Sequence, residues 1–450
     1  MNITFQGHKI YVDRSPQNEY PQLGIMLAVL LLYIAPFVSM WLAVPSMAIC
    51  LYRVIRYDAK VFATDYCMLL PLASLTKVPG IPMLLIYLCL LAGIWYFLKG
   101  GLRAEASFVL LIVLLNYLLT RMQMDINAFV LCFGQMFVMW VLLPKQDEKS
   151  AERTIKAFIA SLILSSAYAL VFRNTSAIRA ICGAEVYAFW GSNLRRFKGL
   201  FQDPNYYMTL MVIGLALLIK LKECKMVNMG IFVFQGVSMV AFGILTYSKT
   251  FFLVFVLLGG IYVLWQFWNK KILSGMTLGI LAVALAFVVL FAENSPFAVV
   301  MERLVSAQNL RDLTTGRSEI FLAYWKAISQ DMKSFFFGKG LAAKALWRDP
   351  HNIYLETLYY VGTVGFVLIV SIYLLMVQEI KLRMPDVCQQ HWIAKYVVPM
   401  MFLLLYFALH GVFHIVSYGE LFLAMISMML IKKNEVLSEE NITQGKGMLW

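Results

Sequence analysis

The apolar residues of this chain come in blocks of about 15–25, long enough as helices to cross about 30 Å of hydrocarbon. Inside lipid such a segment satisfies its backbone only as a helix or within a closed barrel. Barrel strands read as alternating segments of about ten residues, and that alternation is absent. Of the 450 residues, 61% are hydrophobic and 14% charged, where soluble domains carry about 25% charged residues. The expected fold class is all-α: a polytopic integral membrane protein with about 12–14 transmembrane helices and a large extracytoplasmic loop.

Candidate spans are 23–36, 37–53, 61–77, 80–98, 106–120, 126–143, 155–172, 205–220, 229–246, 250–267, 275–292, 352–377, 396–410 and 415–431. The first two abut at Pro36 and read either as two helices or as one kinked helix. The third carries Asp65 and Pro71. Residues 1–22 form a polar, cytoplasmic N-terminal segment without a signal-peptide pattern. Residues 23–431 form the membrane domain, and 432–450 a polar cytoplasmic tail.

The net charge of +13 fits a Lys/Arg excess on the cytoplasmic side and attraction to anionic headgroups or lipid-linked phosphates. Nucleic acid is excluded as a partner, because no basic soluble domain exists to carry it. The seven cysteines form no CxxC pair, so neither a disulfide framework nor a thiolate metal site is expected. With 14 spans and the N-terminus inside, the connections Arg53–Lys60, Lys99–Arg103, Lys145–Lys156, Lys220–Lys225, Lys270–Lys271, Lys381–Lys395 and Lys432–Lys433 all fall on the cytoplasmic face. The two longest loops, 173–204 and 293–351, then face outward. Both are basic against the positive-inside trend, which points to an anionic ligand. The plainer reading is that long loops translocate regardless of charge.

Four groups of residues carry candidate chemistry. The first is RRFKGLFQDPNYY, with Arg195, Arg196, Lys198, Gly199, Asp203, Pro204 and Asn205. Asp203 or Asn205 caps the next helix, with Pro204 in its first turn, and a helix N-terminus beside arginines suits an anion. The bland alternative is a capping turn with snorkelling arginines. The second is LTYSKTFFL, with Thr246, Ser248, Lys249 and Thr250 at a tight turn; a lone lysine there also serves as an interfacial anchor.

The third group is TTGRSEIFLAYWKAI. Thr314 or Thr315 caps a helix starting near Arg317, and Ile320, Phe321, Tyr324, Trp325 and Ile328 form an amphipathic stripe. The fourth is DPHNIYLETLYYVGTVG, where His351 and Asn352 open a long span, Glu356 lies one turn further in, and Gly362 and Gly365 allow close helix packing. A histidine at a solvent boundary is a ready general base, though a lone histidine is more often structural. His410 and His414 share a helix face but lack an acidic third ligand nearby, and Glu420 within the last span needs a partner.

Taken in order, these groups resemble the O-antigen ligase and O-antigen polymerase superfamily of bacterial membrane glycosyltransferases. The corresponding pieces are R-x-x-G…PN (Arg196, Gly199, Pro204, Asn205), a T-x-S-R-like turn (Thr246, Ser248, Lys249), G-R before a surface helix (Gly316, Arg317, Trp325) and H-N with a downstream G-x-x-G (His351, Asn352, Gly362, Gly365). The resemblance spans roughly residues 195–370.

It implies an enzyme of the bacterial plasma membrane, facing outward, that takes a glycan from undecaprenyl diphosphate and passes it to an acceptor glycan without a metal or other cofactor. It also implies membrane lipids, a flippase and a chain-length regulator as partners. Residues matching Lys249 and Arg317 would hold the diphosphate with Arg196, and His351 would activate the acceptor. Gly199, Asn205, Asn352 and Glu356 would support them. Lys249 departs from the usual arginine and loses the bidentate fork. Fixed cations replace Mg²⁺ in stabilising the leaving group, as no DxD-type pair lies in either outer loop.

The leading expectation is polymerisation of lipid-linked repeats into capsule, exopolysaccharide or O-antigen. A ligase is the alternative, and a lipid-linked oligosaccharide flippase the reading from another class. Residues between Trp325 and Arg348 are read as a lid over the glycan.

Overall fold

The structure, a computed structural model, describes residues 4–5, 8–9, 22–80, 83–100, 106–121, 129–183, 186–187, 195–252, 254–255, 260, 316–347, 350, 352–383 and 415–430. Outside these lie the spans 275–292 and 396–410, most of 250–267, the tail 432–450, and Thr314, Thr315, Arg348, His351, His410 and His414.

Helix α1 (Gln22–Val38) keeps Pro36 in its last turn. Ser39, extended at φ −166°, ends it and caps a short 3-10 turn, Met40–Leu42, by accepting from Trp41 N. The chain then returns as α2 (Ala43–Arg56). Ser46 Oγ donates to Ala28 O at 2.8 Å, and a Cβ on Gly24 would come within 3.2 Å of Arg53 Nη1. These contacts make an antiparallel hairpin of two helices, which settles the choice the sequence left open.

Asp58 caps α3 (Ala59–Leu69), which continues as a 3-10 turn, Leu70–Thr76, with Pro71 at its start. Next come α4 (Leu84–Gly100) and α5 (Ala106–Arg121), then a π-helical turn, Val130–Gly134, running into α6 (Gln135–Leu142). An Asp147–Ser150 capping box opens α7 (Glu148–Phe172). The remaining described helices are α8 (Ser176–Cys182), α9 (Pro204–Glu223), α10 (Met229–Ile244), α11 (Arg317–Ile328), α12 (Met332–Phe337), α13 (Ile353–Arg383) and α14 (Ile415–Ser427). Besides helices, the described residues hold one antiparallel ladder, β1 (Thr4–Phe5) with β2 (His8–Lys9), and a bridge between Tyr187 and Arg195.

Helices α7, α9 and α13 are long and apolar enough to cross a membrane. Helix α9 is the interior one. It buries Tyr207, Leu210, Met211 and Leu217 and packs on α7, α10 and α14. Gly214 lets α10 approach, since a Cβ there would meet Met239 Sδ at 2.6 Å. Helix α10, by contrast, turns Phe234 and Val237 outward at 67% and 62% exposure. An apolar outer face of this kind belongs in lipid, and the protein is an all-α membrane protein.

Two charges at helix ends, in the connections read by sequence as cytoplasmic, are buried within the protein. Arg53 and Lys220 are 3% and 2% exposed. Arg53 reaches from α2 to Asp65 on α3 with a two-pronged contact, Nε to Oδ2 at 2.7 Å and Nη2 to Oδ1 at 2.9 Å. Asp65, inside the third candidate span, is the partner that allows the arginine to be buried. Thr64 and Thr154 share a hydroxyl contact at 2.9 Å that fastens α3 to α7.

Removing one member of a buried pair leaves the other uncompensated, a loss of about 3–5 kcal/mol. Arg53→Ala or Asp65→Ala is therefore expected to lower the unfolding midpoint of the detergent-solubilised protein sharply. The double change Arg53→Met with Asp65→Leu is expected to recover most of it, read by differential scanning fluorimetry.

Candidate active site

The first two groups meet at Arg196. Asp203 is the residue that caps α9, accepting from Asn205 N at 2.6 Å, with Pro204 at the first helical position. That leaves the Asn205 side chain available, and its Oδ1 accepts from Arg196 Nη2 at 3.0 Å. Arg196 Nε donates to Thr246 O at 2.7 Å, the Arg196 backbone N–H donates to Val186 O at 2.7 Å, and Phe197 N to Leu245 O at 2.9 Å. Ser248 Oγ lies 3.5 Å from the same Asn205 oxygen. One guanidinium thus ties the end of the first outer loop to α9 and to the turn after α10. Lys249 opens the next helical segment directly after Ser248.

Gly199 has a structural reason to be glycine. Its φ is +56°, and a Cβ would fall 2.5 Å from the Tyr207 ring. Tyr207 is itself buried and donates to Ser166 Oγ on α7 at 2.7 Å. The turn after α10 is also unusual. Tyr247 sits at φ +49°, a conformation L residues seldom adopt, held by Thr246 Oγ1 donating to Gly243 O at 2.6 Å and Tyr247 N donating to Ile244 O at 3.0 Å.

A cavity of about 440 Å³ opens against this junction, between the end of α7, helix α8, the segment 195–199 and the turn at Leu245 and Tyr247. Arg173, Arg179, Arg195, Arg196 and Lys198 line it, and its described lining contains no carboxylate. Lys198 Nζ donates to Cys182 O at 2.8 Å and lies 3.3 Å from Gly183 O and 3.4 Å from Gln202 O. Burial pushes the Cys182 thiol up to about 11 against the lowering effect of Lys198 and Lys77, so it stays protonated and is no nucleophile at neutral pH.

The third and fourth groups also come together. Helix α11 begins at Arg317, as expected, and its cap position is Gly316 at φ +78° with no side-chain cap. Ile320, Tyr324 and Ile328 are buried with Tyr359 of α13, while Trp325 is half exposed. Asn352 caps α13, its Oδ1 accepting from Tyr354 N at 3.0 Å and Leu355 N at 3.2 Å. Glu356 is buried one turn further in. His351 itself lies outside the described residues.

Gly365 behaves as the sequence suggested: a Cβ there would come within 2.9 Å of Tyr117 on α5. Gly362 does something else. At φ +66° and ψ −175° it breaks α13, and the chain after α12 crosses the break. Lys339 N donates to Tyr359 O at 2.8 Å, and Gly340 N to Tyr360 O at 2.9 Å. Gly338 and Gly362 touch backbone to backbone, with a Cβ on Gly362 only 2.4 Å from Gly338 N.

From α5, Tyr117 OH donates to Val361 O at 2.6 Å, and Arg121 donates to Phe337 O from Nε at 2.9 Å and Nη2 at 2.6 Å, with Gly338 O 3.1 Å from Nη2. The part of the expected lid around Gly338 is therefore a strap fastened to two helices. Tyr117, Arg121, Arg173 and Arg179 stood outside the four sequence groups. For the last two the legible signal was the basic character of the first outer loop.

Residues 235–370 match the family described as O-antigen ligase, which supports the O-antigen ligase and polymerase superfamily. The matched stretch holds the second, third and fourth groups. The first group precedes it and is joined to it through Arg196. The match supports a membrane enzyme of ligase or polymerase type with lipid-linked glycans as substrates. Neither the curated proteins nor the solved structures give a match.

Gly362→Ala places a side chain where only backbone fits, and Arg121→Ala removes the guanidinium donors that α5 supplies to Phe337 O and Gly338 O. Both are expected to speed amide exchange at Lys339 and Gly340 by about tenfold or more in hydrogen–deuterium exchange, with exchange in α9 unchanged.

Proposed function

We propose that the protein is a polymerase that joins undecaprenyl-diphosphate-linked oligosaccharide repeats into a capsular, exo- or O-antigen polysaccharide at the outer face of the bacterial plasma membrane. The observation that carries this reading is the Arg196 junction. It brings two separate motifs of the resemblance together beside a cavity lined by five cations and no described carboxylate.

In this reading Arg196, Lys249 and Arg317 hold the diphosphate. Two Arg196 donors already bind Thr246 O and Asn205 Oδ1, so the residue also fixes the turn that carries Lys249. Arg317 stands at the start of α11, where the positive helix end adds to its charge in favouring an anion. His351 takes the proton from an acceptor sugar hydroxyl. That oxygen attacks the anomeric carbon of the donor glycan, the bond from this carbon to the diphosphate breaks, and undecaprenyl diphosphate leaves with inversion. Glu356 orients His351, and Asn352, next in sequence, caps α13. A ligase would use the same donor chemistry and differ only in its acceptor. Flippase and chain-length regulator proteins are the fitting partners of a polymerase.

Reconstitution with an undecaprenyl-diphosphate oligosaccharide in EDTA tests the reading. Lengthened lipid-linked chains are the expected product; transfer only to a separate acceptor would make the protein a ligase, and movement of intact donor across the bilayer without new bonds would make it a flippase. Arg317→Ala is expected to lower the rate by about 10²–10³, and His351→Ala by about 10²–10⁴. Wild-type rates in both variants would remove these residues from the mechanism.

A further inference from the structure

The cavity beside Arg196 carries positive charge on a wall that the donor's diphosphate does not account for. Arg173 and Asn174 follow the end of α7, and Arg179 lies in the last turn of α8. None of the three belongs to the motif residues assigned to the diphosphate. With Arg195, Arg196 and Lys198 they bring five cations around one concavity whose described lining holds no Asp or Glu. Like charges gathered around one hollow raise its potential and attract anions. The α7–α8 wall adds Arg173 and Arg179 to that lining from a different segment of chain than the Arg196 junction.

The same cavity has features that a phosphate alone does not call for. Tyr247, in a backbone conformation that is costly for a non-glycine residue, lines it together with Phe197 and Ile178. Strain held at a lined cavity is a mark of function. Asn174 adds an amide that both donates and accepts. A volume of about 440 Å³ lies within the span of small-molecule sites, which combine apolar and aromatic surface with a few convergent polar groups.

We propose that the α7–α8 wall is a subsite for an acidic sugar of the glycan. Its carboxylate lies against Arg173 and Arg179, the ring packs on Tyr247, and the ring hydroxyls reach Asn174. The repeat unit handled by this enzyme then includes a carboxylate-bearing sugar. The assignment of that sugar to the donor glycan rests on the function proposed above; binding of the sugar itself does not.

The test is binding to the purified full-length protein in nanodiscs of zwitterionic lipid, by isothermal titration calorimetry. The probes are a galacturonate tetrasaccharide, a neutral glucose tetrasaccharide and inorganic pyrophosphate. The wild type is expected to bind the acidic tetrasaccharide about tenfold or more tightly than the neutral one. Arg173→Ala and Arg179→Ala are each expected to weaken the acidic probe by about tenfold and leave pyrophosphate within about twofold. Arg179→Lys, which keeps the charge, recovers part of the loss.

Equal affinity for acidic and neutral sugars in the wild type would overturn the subsite without any variant. Parallel loss of pyrophosphate in Arg179→Ala would make the wall part of the diphosphate site instead. Displacement of the acidic sugar by anionic lipid added to the nanodiscs would assign the wall to headgroups. Wild-type glycan transfer in His351→Ala and Arg317→Ala would count against the proposed mechanism alone, so the two ideas fail separately.

Discussion

In hydrocarbon, a carbonyl that leaves its helix has no water to accept from, so every departure from helical geometry must be answered within the protein. The candidate site is built from such answers. Gly362 breaks α13, and the backbone of Lys339 and Gly340 supplies donors to Tyr359 O and Tyr360 O. Tyr117 covers Val361 O in the same way. Where α10 ends in a strained turn, Arg196 donates to Thr246 O. At these breaks a loop, a tyrosine or an arginine from another segment meets the irregular backbone, and motif residues lie beside them.

Charge follows a similar rule. Arg53 is deep in the bundle because Asp65 meets it with both oxygens, a pair that locks the first hairpin to α3. The cavity beside α8 gathers five cations, and its described lining holds no carboxylate. The first arrangement is closed and structural. The second lines a cavity, and the proposed anionic ligand is placed there and not at the buried pair.

Much of the architecture was legible in residue order. The apolar blocks located most described helices to within a few residues, the Asp203–Pro204 pair marked the start of α9, and the stripe Ile320, Tyr324 and Ile328 marked the packed face of α11. Other readings shifted for physical reasons. The first two spans abut at Pro36, yet the reversal comes at Ser39: Pro36 stays within the last turn of α1, and Ser39 in extended backbone ends the helix and caps the next turn. Gly362 looked like a packing glycine and is a break; a sequence marks the freedom of glycine without saying how it is used. Arg53 ends its helix as a flanking charge would, but its burial against Asp65 was not legible, since hydropathy cannot see a partner twelve residues away on another helix.

By itself the sequence determined the class of molecule, an all-α membrane protein, and the chemical types gathered in its loops, because burial in lipid and helix capping are local in their demands. The tertiary structure alone decided which of those residues meet. Arg196 reaches Asn205 nine residues on and Thr246 fifty residues on, and Arg121 reaches Phe337 across more than two hundred. Arg173 and Arg179 became part of one cavity only when α8 folded back against the segment 195–199. Such meetings depend on how helices pack and where loops cross them, and side chains converging from distant segments leave no periodic trace in a linear sequence.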